Sequence, residues 1–195
     1  CALPISAPDG VETSLNALDA VRRWARVVRT IHSYSGPAPD GVESIERCFA
    51  SLFDFAGRAS ADPLYFDAAR VARSLLNSPR DVRLLHGDMH HENILRSASR
   101  GWVAIDPQFL IGESAYDVAN ALYNPEGLPD ITESPERLEV RVRILSQELQ
   151  LDPERVLAFG FAHGGLSAAW RLEDGQDTEP RLRVARMLRQ RLPNW

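Results

Sequence analysis

Residues 84–107 read LLHGDMHHENILRSASRGWVAIDP, and the alternation of apolar runs with polar clusters in this stretch decides the architecture. Val82, Leu84 and Leu85 lead in as one short strand. Ile94 and Leu95 begin a second, Ser97 to Gly101 turn the chain, and Trp102 to Ile105 form an apolar β-run. Polar groups collect where these strands end. His86, Asp88, His90, His91 and Asn93 share one loop, and Asp106 closes the last strand before Pro107. A loop held between rigid apolar strands can place carboxylates accurately.

Asp88, Asn93 and Asp106 offer two carboxylates and an amide oxygen. These are hard ligands of the kind that hold Mg²⁺ together with substrate phosphates. Two of them holding metal would leave one acid to orient a hydroxyl. Phosphoryl transfer needs that division of labour, because its catalysis is mostly positioning and charge neutralisation. Taken singly, an Asp or Asn in a loop is usually a turn former or a cap. The joint pattern carries the reading.

His86-Gly87-Asp88, four residues, Asn93 and then Ile105-Asp106 resemble the catalytic loop and metal-binding aspartate of the protein-kinase-like fold. With His90 present, the form HGD-x-H-x-x-N is similar to the aminoglycoside phosphotransferase family. HGDMHHENIL followed by GWVAIDPQFLIGESAYDVANALYNP resembles its streptomycin 6-kinase and hydroxyurea phosphotransferase branch. Gly112, Tyr116, Asp117, Asn124 and Pro125 fit that branch. The resemblance is sharpest over residues 84–125 and continues more loosely to Trp170. Glu92 stands where the branch often has Gly, and Gln108 where it often has Lys.

The resemblance implies an α+β, protein-kinase-like fold: a mainly helical C-terminal lobe with small active-site β-hairpins. It implies ATP and Mg²⁺ as cofactors. Asp88 and His86 would be the catalytic pair, Asp88 accepting or orienting the hydroxyl proton and His86 fixing loop geometry by hydrogen bonding. Asn93 and Asp106 would hold the nucleotide's metal. His90 would shape the loop, and Asp117 would brace it as a structural acid. The implied acceptor is a hydroxyl of a small cationic molecule such as streptomycin, and the implied role is antibiotic resistance. His91 reads as an ordinary exposed histidine.

Two other functions compete. A metal-dependent hydrolase would take His86, Asp88, His90 and His91 as ligands and favour Zn²⁺ or Mn²⁺. Adjacent His90 and His91 are hard to aim at one metal from a strand-like backbone, where neighbours face opposite ways. A non-catalytic nucleotide- or drug-binding remnant would keep the loop without turnover.

The 195 residues suffice for one sizeable core or two small lobes. A formal charge of −5 argues against a nucleic-acid partner and suits a cationic ligand. The most apolar stretch, Val156 to Trp170, is interrupted by Gly160, His163, Gly164 and Gly165 and is too short for a membrane span. No basic leader precedes an apolar signal core. Cys1 and Cys48 form no metal or redox spacing, so a reducing cytoplasm is the default compartment. Every basic residue other than histidine is Arg, and the chain opens on Cys1 rather than Met. The expectation is a C-terminal lobe over residues 14–195. Residues 1–13 would be the end of a hinge, with an N-terminal lobe and its phosphate-binding Lys outside this sequence. Such a chain alone should be a poor kinase.

In order, Pro4, Pro8 and Gly10 predict a loop to Thr13, with Ser14 as N-cap of a helix to His32. Trp24 on that helix reads as core. A second helix is predicted over 42–57, and Asp62-Pro63 open a third. Residues 115–123 suggest a short helix and residues 124–135 a loop. Ser134-Pro135 and Asp152-Pro153 each open a further helix. The last helix is expected over 181–192, with its arginines on a solvated face. Glu126, Asp130, Glu133, Glu173 and Asp174 are the candidate walls of an acidic acceptor cleft, since a cationic ligand needs negative surroundings.

Overall fold

The computed structural model of the chain describes residues 10–58, 62–193 and 195. Its elements run α1 (Gly10–His32), β1 (Glu43–Ser44), α2 (Ile45–Cys48), α3 (Ala50–Ala56), α4 (Pro63–Asn77) and β2 (Val82–Leu85). After a 3-10 turn at His91–Asn93 come β3 (Ile94–Ser97), β4 (Gly101–Ala104) and β5 (Leu110–Glu113). The rest is helical: α5 (Ala115–Ala121), α6 (Pro129–Thr132), α7 (Pro135–Leu149), α8 (Pro153–Glu173) and α9 (Glu179–Arg189). This is the expected α+β arrangement, with helices dominant and two small sheets.

Three helix starts follow from cap chemistry alone. The Asp62 carboxylate accepts from Leu64 N at 2.9 Å, with Pro63 in the first turn. Asp152 accepts from Glu154 N at 3.0 Å ahead of Pro153, and Ser134 caps α7 ahead of Pro135. Each oxygen satisfies an amide that has no partner inside the helix, and Pro lacks the donor that would have needed one.

Other boundaries differ from expectation. α1 is already running at Gly10, so Ser14 lies inside it and is not its cap. The hinge reading for residues 1–13 lies outside the described residues over 1–9, and from Gly10 onward the chain is helix. The helix predicted over 42–57 is broken, because Glu43 and Ser44 join a sheet and Ser44 then caps α2. A long-range contact decides this. Ile45 sits over Gly112, where an added Cβ would lie 2.6 Å from the Ile45 side chain. The expected 124–135 loop contains the helical turn α6, and α9 begins at Glu179, two residues before the expected start.

The larger sheet has the order β1-β5-β2. β5 pairs antiparallel with β2 from Val82↔Glu113 to Leu85↔Leu110 and parallel with β1. β2 therefore finds its partner 25 residues downstream of Leu85, at Leu110, and not in the adjacent hairpin. β3 and β4 form that hairpin, from Ile94↔Ala104 to the turn at Ser97↔Gly101. α8 forms the centre of the helical body and lies against α4, α5 and α9. It can approach that closely because of its glycines. At Gly164 an added Cβ would stand 2.0 Å from Tyr123 Oη and 2.9 Å from Ala185 Cβ.

One ion pair ties the sheet to this body. The Arg155 guanidinium on α8 binds both Glu113 oxygens at the end of β5, and both side chains are almost wholly buried. Arg155 also donates to Ser78 O at 3.1 Å, and Glu113 accepts from Arg80 N at 2.8 Å. The two charges are matched and further hydrogen bonds reach both partners, the condition under which a buried pair is tolerated.

Candidate active site

The loop between β2 and β3 is fixed at its start by Asp117, on the first turn of α5 and buried. Its carboxylate accepts from the backbone amides of His86 (3.0 Å) and Gly87 (2.8 Å). His32, the last residue of α1, lies 3.0 Å away through Nε2. Gly87 has φ +87°, and a Cβ there would stand 2.8 Å from the Leu110 side chain, so this turn requires glycine. His86 is buried with both ring nitrogens engaged. Nε2 bonds the Ile105 carbonyl at 2.9 Å, which makes it the protonated nitrogen, and Nδ1 accepts from Asp88 N at 3.4 Å. His86 therefore clamps loop to strand, with both ring nitrogens spent on backbone groups.

Asp88 follows, half-exposed at the mouth of the loop. Asn120 Nδ2 donates to its Oδ1 at 2.8 Å. Asn93 Nδ2 donates to its backbone carbonyl at 2.9 Å and, more distantly, to Oδ2 at 3.4 Å. His90 Nε2 stands 3.6 Å from Oδ2. The His90 imidazole holds the Asp88 carboxyl below its usual range, with burial acting against it, and Asp88 in turn raises His90. Asp88 is thus an ionised carboxylate whose two oxygens are each approached by an amide donor.

Strand register brings Asn93 and Asp106 together. Ile105 N donates to Asn93 O at 3.0 Å, one step beyond the Ile94↔Ala104 pair, so the two residues end the same hairpin. Asp106 itself turns left-handed, at φ +55°, and its side chain is exposed. Among the described residues its carboxylate makes no hydrogen bond or ion pair. Asn93 spends its amide nitrogen on Asp88, and among the described residues its amide oxygen meets no donor. A carboxylate and an amide oxygen at one strand end fit a hard divalent cation that keeps several further oxygen ligands.

The hydrolase set does not assemble. Among the described residues no three His, Cys, Asp or Glu side chains could hold a metal ion, and the His86 ring is already spent on backbone groups. His91 is partly buried, not freely exposed. Among the described residues its Nδ1 has no partner, and burial lowers its pKa.

The acidic candidates lie in a different setting. Glu126 accepts from Arg171 at 2.7 Å and Arg181 at 2.8 Å, and Glu133 takes a two-pronged bond from Arg183 at 2.8 and 2.9 Å. Asp130, Glu173 and Asp174 are exposed. The α9 arginines are consequently not a simple solvated face. Arg181, Arg183, Arg186 and Arg189 each engage an acid, and Arg181 is largely buried.

A family model described as aminoglycoside/hydroxyurea antibiotic resistance kinase matches residues 12–175. The chain belongs to this family. It is 45% identical over 145 residues to the streptomycin 3''-kinase of Klebsiella pneumoniae, covering 72% of this chain and 53% of that protein. It is 34% identical over 157 residues to the streptomycin 6-kinase of Streptomyces glaucescens, covering 72% and 48%. Against the hydroxyurea phosphotransferase of Kitasatospora aureofaciens it is 30% identical over 155 residues, covering 76% and 43%. The chain spans about half the length of these curated relatives. Among solved structures, the choline kinase LicA of Streptococcus pneumoniae superposes with a TM-score of 0.61 at 15% identity. That match covers 91% of this chain and 66% of LicA. The fold is the protein-kinase-like one.

Within this chain, sequence reasoning passed over His32, Asn120 and His163. Asn120 had a legible signal: it follows Asp117 by three, so the two share one face of α5. His163 is buried in α8 among the rings of Tyr116, Tyr123 and Trp170, and burial pushes its pKa down to about 4. A lone histidine in an apolar helix announces nothing.

Proposed function

We propose that this chain supplies the catalytic and acceptor-side machinery of an ATP-dependent phosphotransferase. It would move the γ-phosphate to a hydroxyl of a small cationic aminoglycoside such as streptomycin, in the cytoplasm, as an antibiotic-resistance activity. The observation that carries this reading is the ionised Asp88 carboxylate, held by two amide donors at the mouth of a braced loop in a chain of this family.

Asp88 faces the acceptor hydroxyl, orients it and takes its proton as the oxygen–phosphorus bond forms. Asp117, His86 and Gly87 keep the loop backbone from drifting, because small misplacements cost on the order of 10²-fold in rate. Asn93 and Asp106 are the residues that would hold Mg²⁺, which when bound neutralises charge on the phosphates. A cationic acceptor would compete with Arg171, Arg181 and Arg183 for Glu126 and Glu133, while Asp130, Glu173 and Asp174 add negative charge at the outer surface. The contacts that cover the triphosphate from the far side, including a Lys, are assigned to an N-terminal lobe outside this sequence. The relatives' greater length supports this, as does the lack of any Lys among 22 basic residues.

The test is phosphate transfer from ATP to streptomycin by the full-length protein and its Asp88→Asn variant. The variant should lose about 10²–10⁴-fold in kcat with its melting temperature unchanged, whereas turnover within a few-fold of wild type would remove Asp88 from this role. In the same assay, Asp106→Ala should need more Mg²⁺ for half-maximal rate. Superimposable Mg²⁺ titrations would reject the metal assignment.

A further inference from the structure

We infer that Asn120 and Asn124 form a one-way amide relay, anchored by Arg141, that positions the Asp88 carboxylate. The inference rests on the reading of Asp88 as the residue that takes the acceptor proton.

The direction of the relay is fixed by chemistry. An ionised carboxylate can only accept hydrogen bonds. Asn120 must therefore turn its NH₂ toward Asp88 Oδ1, 2.8 Å away, and its own Oδ1 points elsewhere. That oxygen is met by Asn124 Nδ2 at 3.1 Å, and the same nitrogen reaches the Asn120 carbonyl at 3.0 Å. Flipping either amide would break these bonds and set oxygen against oxygen. The three residues thus share one orientation.

The far end of the relay is held by charge. The Arg141 guanidinium, on α7, donates to the carbonyls of Ala121, the last residue of α5, and of Leu122 (3.4 Å) and Asn124 (2.7 Å) just past it. Among the described residues it has no carboxylate partner, so these carbonyls are where its charge is satisfied. A cation at a helix C-terminus is favoured by the exposed carbonyls and the helix dipole. Asn124 is therefore not a loose loop side chain, because its own backbone is clamped.

Asn93 and Asn120 divide the work on Asp88. Asn93 binds the Asp88 carbonyl more closely than the carboxylate and so fixes the main chain. Asn120 binds only the carboxylate and so fixes its rotation. A neutral amide suits this task better than Lys or Arg would. It orients the acid without the strong stabilisation of the ionised form that a cation brings, and so preserves its ability to take a proton.

Two measurements test the relay. The first is the Asp88 carboxyl titration, followed by ¹³C NMR in the full-length protein, which needs no turnover. The second is kcat against KM for ATP in the full-length protein. Asn120→Ala should lower kcat about 10²-fold, leave KM for ATP within about twofold, and raise the Asp88 midpoint. Asn124→Ala should do the same more weakly, although it does not touch Asp88. The double variant should be no worse than Asn120→Ala alone, because both act through one bond. Additive losses in the double variant, or an unmoved Asp88 midpoint in Asn120→Ala, would overturn the relay. If Asn120→Ala does not fold, the isosteric Asn120→Asp decides. Two carboxylates facing each other should share a proton and move the Asp88 midpoint at least about tenfold lower in proton concentration, and an unchanged midpoint would again overturn the relay. Activity retained in Asp88→Asn would reject the catalytic reading, while the titration would still judge the relay.

Discussion

His163 shows what a single buried residue does to the response of this protein to acid. Among the described residues its Nδ1 has no partner, and its pKa lies at about 4 in the folded chain against roughly 6.5 when unfolded. Between those values the unfolded chain binds the extra proton, so stability rises with pH through this window and falls as pH drops from 6.5 toward 4. The loss by pH 4 is on the order of 3 kcal/mol, since a tenfold change in proton affinity is worth about 1.4 kcal/mol. Urea unfolding of His163→Gln should show a flatter dependence on pH from 4 to 6.5 than wild type, and equal slopes would exclude His163 as the source. The sequence marked this histidine only as a break in an apolar run, since burial depends on which helices surround α8. Asp117 and His86 were better marked, because they belong to a motif whose spacing reflects backbone bonds within one short loop.

Elements whose cause is local were legible, whereas β1 and β5, whose causes are distant, were not. Asp62-Pro63, Ser134-Pro135 and Asp152-Pro153 carry their cap chemistry in two adjacent residues. β1 and β5 have only two and four residues, and each becomes a strand by finding a partner far along the chain. Ile45 belongs to a helix by pattern, yet its seat over Gly112 draws Glu43 and Ser44 into the sheet. α8 shows the same dependence on neighbours. Gly164→Ala should gain up to about 1 kcal/mol of helix propensity and lose more, because overpacking costs about 1–3 kcal/mol. Neither obstacle can retreat: Tyr123 Oη is bonded to Gly160 O at 2.8 Å, and Ala185 has no side chain to rotate. Gly164→Ala should therefore melt several degrees lower than wild type, and adding Tyr123→Phe should recover part of the loss by removing the nearest atom. Full stability in Gly164→Ala would show that α8 and α9 can move apart at little cost.

At the scale of the whole molecule, a small sheet carrying the loop is bolted to a helical body. The Glu113–Arg155 pair is the bolt, reaching the end of β5, α8 and the backbone around Ser78 and Arg80 together. Removing one partner strands a buried charge, so Arg155→Met should cost about 3–5 kcal/mol, whereas Arg155→Met with Glu113→Leu should restore much of that. A double variant as unstable as the single one would locate the defect in lost backbone bonds instead. The pair also constrains descent. A lineage that alters Glu113 first, or Arg155 first, passes through a form with little stability left, since whole domains hold only about 5–15 kcal/mol. The two positions should accordingly be inherited as a unit, with both charges kept or both replaced by apolar residues, and each lineage committed early to one of these two forms.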